Sequence, residues 1–178
     1  MNQVSRGHWN YEILGKQTPQ ALAHAQELNE KLHQTILAAP SPDINFVTYR
    51  GTDLNTFRGY DVNSVSDLKN LENQFFLEAG FCSTSLLRDK SFTNDNYDAA
   101  IYQNHNVEIK YLIPKNSHEC IGLLTPDLSQ YPDENEFLIN SDSLSYISKV
   151  ELSPDQSSAQ LEMVLIPRSI YDPAYSQE

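Results

Sequence analysis

The chain is poor in the residues that staple, hinge or anchor a protein. It has two cysteines in 178 residues, Cys82 and Cys120. They have neither the spacing of a metal site nor the number for a disulfide framework. Cys82 lies in an apolar run and reads as a small buried hydrophobe. The six glycines form no phosphate-cradling loop and no dinucleotide fingerprint, which speaks against a P-loop or a Rossmann site. Basic residues are scarce and scattered, twelve against twenty-four acids, for a net charge of -12. A face that grips nucleic-acid phosphates or an anionic membrane is therefore disfavoured. No apolar run is long enough to cross a bilayer, and the N-terminus has no signal-peptide core. Internal repeats and low-complexity stretches are also missing. What is present is a hydrophobic share of 39% with ten tyrosines, enough for one globular domain with a substantial core.

Residues 1–17 are polar and aperiodic and read as a leader. Thr18 offers an N-cap and Pro19 a first helical position. Leu22, Ala25, Leu28, Leu32 and Ile36 recur at three- and four-residue steps, which predicts an amphipathic helix over 18–38, ended by Pro40. Asn45–Tyr49 reads as a strand delivering Arg50, with Gly51 allowing a sharp turn. A second helix is expected over Ser66–Phe76. Strands are expected at Phe81–Leu87, Val107–Ile113, Cys120–Leu124, Glu136–Ile139, Ser145–Leu152 and Gln160–Ile166. Helices first and strands later predict an α+β domain.

Three short segments carry chemistry. Thr48-Tyr49-Arg50-Gly51 places a guanidinium at a strand end, and guanidinium binds phosphate oxygens through two parallel hydrogen bonds. Phe81-Cys82-Ser83-Thr84-Ser85 puts Ser83 and Ser85 on one strand face and Thr84 on the other. Glu134-Asn135-Glu136-Phe137-Leu138-Ile139 pairs two carboxylates two residues apart, on one face if the backbone is extended. A carboxylate beside a sugar that develops positive charge stabilises the transition state more than the ground state. Glycoside hydrolases meet the same demand with paired carboxylates. Taken singly, the three segments read better as a surface arginine, a Ser/Thr-rich edge strand and a solvated acidic turn. Two metal readings fail on missing partners: His118-Glu119-Cys120 lacks a Pro-Cys-x-x-Cys, and Asn94–Asp98 lacks the glycine and terminal glutamate of a calcium loop.

In this order, over residues 44–167, the segments resemble the Arg, Ser-Thr-Ser, Glu-x-Glu set of bacterial exotoxin-type mono-ADP-ribosyltransferases. The resemblance implies two packed antiparallel sheets with NAD, the substrate, in the cleft between them, and no metal. It implies that Glu136 is the catalytic glutamate, that Glu134 positions or deprotonates the acceptor, and that Ser83 supports Glu136 with Ser85 behind it. Arg50 and Gly51 would meet the phosphates and the nicotinamide amide. By the same resemblance Arg88 and Phe92 bind NAD, and Tyr131, in the 125–133 loop, touches the target protein. Ser117-His118-Glu119 departs from the glycine and aromatic that relatives often carry there. The Glu-x-Glu form implies arginine as acceptor. An antidote or immunity protein is a further partner, and a secreted or translocated effector is the implied setting. On this likeness the chain leaves the cell by a route other than a signal peptide, or is a domain of a longer toxin. Two other readings share the fold: an NAD glycohydrolase with water as acceptor, and an inactive NAD-binding module.

Overall fold

The computed structural model describes residues 19–91, 105–117, 122–124 and 135–172. The leader, Thr18, Phe92, Asn94–Asp98, His118–Cys120, Tyr131 and Glu134 lie outside them. Helix α1 spans Pro19–Leu37, one residue inside the expected bounds at each end. Of its apolar face only Ile36 is fully buried. A side-chain contact ties it down: His33 Nδ1 lies 2.9 Å from Asn140 Oδ1. Its Glu27–Lys31 pair at 2.6 Å is exposed and adds at most about 0.5 kcal/mol.

Eight strands follow: β1 Phe46–Thr52, β2 Phe75–Glu78, β3 Cys82–Ser85, β4 Val107–Ile113, β5 Gly122–Leu124, β6 Glu136–Ile139, β7 Ser143–Leu152 and β8 Ala159–Leu165. A one-turn helix, α2 (Arg168–Tyr171), comes last among the described residues. The strands form one hydrogen-bonded sheet in the order β2-β7-β8-β4-β1-β3-β6-β5. All neighbours are antiparallel except β4 and β8, which run parallel, a departure from the expected purely antiparallel pairing. The α+β class stands, with a five-strand part and a three-strand part.

The join between those parts positions the site. Strand β1 pairs with β4 through seven residues, Phe46↔Ile113 to Thr52↔Val107. With β3 it shares one pair, Tyr49↔Ser85. The ladder therefore opens on either side of that pair. The core lies on one sheet face, where Ile109, Tyr111, Ile113, Leu161 and Met163 alternate inward along β4 and β8 and meet Phe57, Leu68, Phe76 and Ile147.

The expected helix over Ser66–Phe76 is instead a 3₁₀ turn, Val65–Leu71, followed by β2. Asp67 Oδ2 accepts from the backbone N–H of Asn63 and Ser64 at 3.0 and 2.8 Å, which starts the turn. It ends at Glu72, whose backbone is already extended, and a left-handed Asn73 at φ 69° follows. Phe75-Phe76-Leu77-Glu78 then alternate exposed and buried, the period of a strand. The outer edge of β2 is closed at Leu77, whose N–H donates to the Tyr60 hydroxyl at 3.0 Å.

Candidate active site

Strands β3 and β6 run antiparallel with Ser83 opposite Leu138 and Ser85 opposite Glu136. Ser83, Ser85 and Glu136 thus share a face. The Ser83 hydroxyl donates to Glu136 Oε1 at 2.6 Å, the short distance of a bond to an ionised carboxylate. The other two hydroxyls are used structurally. Thr84, on the buried face, donates to the Phe137 carbonyl at 2.7 Å and fastens β3 to β6. Ser85 Oγ accepts from the Leu87 N–H at 2.9 Å and shapes the exit of β3.

Glu136 opens β6, and Asn135 before it has φ 47°. Asparagine tolerates this left-handed conformation better than most residues. Asn135 itself is therefore not extended, and Glu134 before it lies outside the described residues. The Asn135 carbonyl accepts from the Leu86 N–H at 3.2 Å, so the residue linking the two glutamates is fixed to the exit of β3.

Arg50 lies inside β1, not beyond its end, and β1 continues through Gly51 to Thr52 with no turn at the glycine. Arg50 is 7% exposed. Its Nη1 donates to Glu78 Oε2 at 3.0 Å and to Cys82 Sγ at 2.8 Å. Burial alone would loosen the guanidinium proton, but attraction from Cys82 and Glu78 outweighs it and raises the pKa, so Arg50 is a permanent buried cation. The Cys82 thiol in turn faces the Tyr111 hydroxyl at 3.7 Å. Burial, and after it Cys82, pushes the Tyr111 pKa well up, keeping that phenol neutral. Cys82 belongs to the core cluster, as expected of a buried hydrophobe, but its sulfur also receives a charged donor.

Because Cys82 and Ser83 are strand neighbours, Arg50 stands across β3 from the Ser83–Glu136 pair. Arg50 also lines an open cleft of about 360 Å³ with Gly51, Thr52, Asp53, Asn55, Thr56, Arg58 and His105. Arg58 and His105 bring positive or potentially positive groups to this lining and Asp53 a carboxylate, while the Arg50 guanidinium is paired with Glu78.

Arg88 sits in a 3₁₀ turn, Arg88–Lys90, just past β3. Its Nε donates to Glu108 at 3.0 and 3.3 Å, and its Nη2 lies 2.9 Å from Glu108 Oε1. The hydrogen bond that Arg88 donates to Glu108, and then the charge of Glu108, raises the Arg88 pKa. The following Ser91 accepts the Gly51 N–H through its carbonyl, so the turn is bound to β1 next to Arg50.

The sequence reading missed Glu78, Glu108 and Tyr111. Nothing distinguishes Glu78 and Glu108 in sequence from the other acids of the chain, since each gains its role from a strand pairing between distant segments. Tyr111 carried one usable signal, a polar-tipped aromatic at an inward position of an apolar strand. Among the described residues, no group of three His, Cys, Asp or Glu side chains could hold a metal ion, and no helix is long and apolar enough to cross a membrane.

These features meet in the comparisons with known proteins. The sequence profile of the family described as ADP-ribosyltransferase exoenzyme matches residues 12–167. The chain belongs to this family of NAD-dependent ADP-ribosyltransferases of bacterial-toxin type, with NAD as substrate. Its fold is similar to Plx2a, an ADP-ribosyltransferase toxin from Paenibacillus larvae, at 20% identity and TM-score 0.60 over 92% of this chain and 79% of that one. It is similar to the C3 exoenzyme of Clostridium limosum at 15% identity and TM-score 0.63, covering 81% and 70%. The structure of C3stau2 from S. aureus with NAD gives 20% identity and TM-score 0.59, covering 86% and 74%. No curated protein matches the chain by sequence.

Proposed function

We propose that this chain transfers ADP-ribose from NAD to an arginine of a target protein, with release of nicotinamide. The observation that carries the reading is the 2.6 Å bond from Ser83 to Glu136 at the point where the sheet opens. When the bond between the ribose and the nicotinamide nitrogen breaks, the bonding pair leaves with nicotinamide and positive charge develops on the sugar. Glu136, oriented by Ser83, stabilises that charge through its ionised carboxylate. Charge-assisted holding of the carboxylate before reaction avoids reorganisation during it. The guanidinium nitrogen of the acceptor then bonds to the sugar carbon and loses its proton to solvent through Glu134.

In this reading the cleft beside Arg50, Gly51 and Arg58 receives the diphosphate half of NAD, and Arg88, Ser85 and Phe92, the last outside the described residues, are further NAD-binding residues. Tyr131 contacts the target. The acidic surface, at net charge -12, favours encounter with a basic target face. Labelled NAD, a lysate and mass-spectrometric mapping of the modified residue test the proposal. Label on arginine supports it. Label on another side chain contradicts the acceptor, and nicotinamide release with no labelled protein makes the chain a glycohydrolase.

A further inference from the structure

Glu108 is the most heavily engaged carboxylate described in the molecule, and the chemistry above does not use it. Its side chain is 11% exposed, whereas that of Arg88 is 62% exposed. On the sheet side, its β8 register partner Gln160 donates to Oε1. On the loop side it takes Arg88 through Nε and Nη2 and accepts from Ser91 Oγ at 3.3 Å. Its register partner on β1 is Gly51, whose N–H donates to the Ser91 carbonyl. The Glu108 carboxylate thus fastens the exit turn of β3 to β4, and one backbone bond fastens it to β1 beside Arg50.

We propose that Glu108 is a positioning residue for NAD, fixing the Arg88 guanidinium so that it meets the diphosphate without first being ordered. This rests on the reading of Arg88 as a phosphate ligand. A guanidinium has two bidentate edges. Glu108 engages the Nε–Nη2 edge, and a phosphate approaches the Nη1–Nη2 edge. An exposed arginine loses rotamer freedom on binding, and a carboxylate anchored from the sheet removes that cost beforehand. Glu108 holds the cation and leaves the reacting bond alone, so its effect falls on NAD binding and not on the chemical step.

The test is steady-state nicotinamide release with thermal melting, on Arg88→Ala, Glu108→Gln, their double variant and the charge swap Arg88→Glu/Glu108→Arg. Glu108→Gln is expected to raise KM for NAD roughly five- to tenfold with kcat within about twofold. The double variant is expected to be no worse than Arg88→Ala, since both act through one group. The swap is expected to restore the melting temperature and leave KM high, because it rebuilds the ion pair without the cation. An unchanged or lowered KM in Glu108→Gln overturns the proposal, the latter because it makes Glu108 a competitor of NAD. A swap that restores KM along with melting makes the pair purely structural and also overturns it. Normal KM in Arg88→Ala overturns instead the underlying reading of Arg88, and that single variant separates the two failures.

Discussion

The Ser83 hydroxyl and the Glu136 carboxylate are bound at 2.6 Å across two antiparallel strands, on one face and two residues apart in register. The bond fixes one carboxylate oxygen from a rigid element and not from a loop. Replacing Ser83 by alanine is expected to lower kcat for nicotinamide release about tenfold or more, the effect of losing a hydrogen bond to a charged group. Thr84 and Ser85 keep their structural bonds, so melting should barely move. Parallel kinetics and melting on the same preparation check this.

The buried Arg50–Glu78 pair carries a stability prediction. Both side chains are nearly inaccessible, at 8% and 9%. Glu78→Gln leaves a buried guanidinium without its countercharge and is expected to cost about 3 kcal/mol or more. Denaturant unfolding measures it; a loss below about 1 kcal/mol would show that the pair behaves as a surface bridge. Arg50→Lys keeps the charge but loses the planar fork, and calorimetric NAD affinity should fall clearly.

Asn135 connects backbone conformation to chemistry. At φ 47° a β-branched residue is strained, so Asn135→Val is expected to cost about 1–2 kcal/mol. It should also slow nicotinamide release by displacing Glu136. Asn135→Gly accepts the conformation and should keep activity. Equal activity in both variants would show that this backbone conformation does not place Glu136.

The two glutamates should separate by reaction. An arginine side chain is protonated below about pH 12 and needs a carboxylate to orient it and relay its proton. Water attacking a reactive sugar needs less help. Glu134→Gln is expected to lose protein modification and keep much of the slow NAD hydrolysis, assayed side by side. If both fall together, Glu134 serves the NAD step as well.

Much of this was legible in the sequence, for identifiable reasons. Val107–Ile113 and Glu136–Ile139 match their strands residue for residue, because alternation of apolar side chains on a half-buried sheet is a local signal. The Ser83–Glu136 pair followed from family likeness, and its geometry agrees. Helix-like spacing of Leu68, Leu71 and Phe75 misled, because the backbone turns extended at Glu72 and tertiary pairing with β7 claims Phe75–Glu78. Arg50 stands out in the sequence as a strand-borne arginine before a glycine, but its burial against Glu78 and Cys82 depends on where β1, β2 and β3 meet. Glu108 became visible only once β4 and the turn after β3 were placed together.

The account stands most directly on nicotinamide release by the wild-type chain and Glu136→Gln, measured with excess NAD at equal folded concentration. Glu136 is half-buried at the start of a strand, and glutamine preserves its shape and its bond from Ser83. The expected result is steady release by the wild type and a loss of at least about a hundredfold in the variant, with matching melting curves. Near-normal release by a folded Glu136→Gln protein would contradict the central claim that the Ser83–Glu136 pair is where NAD is cleaved.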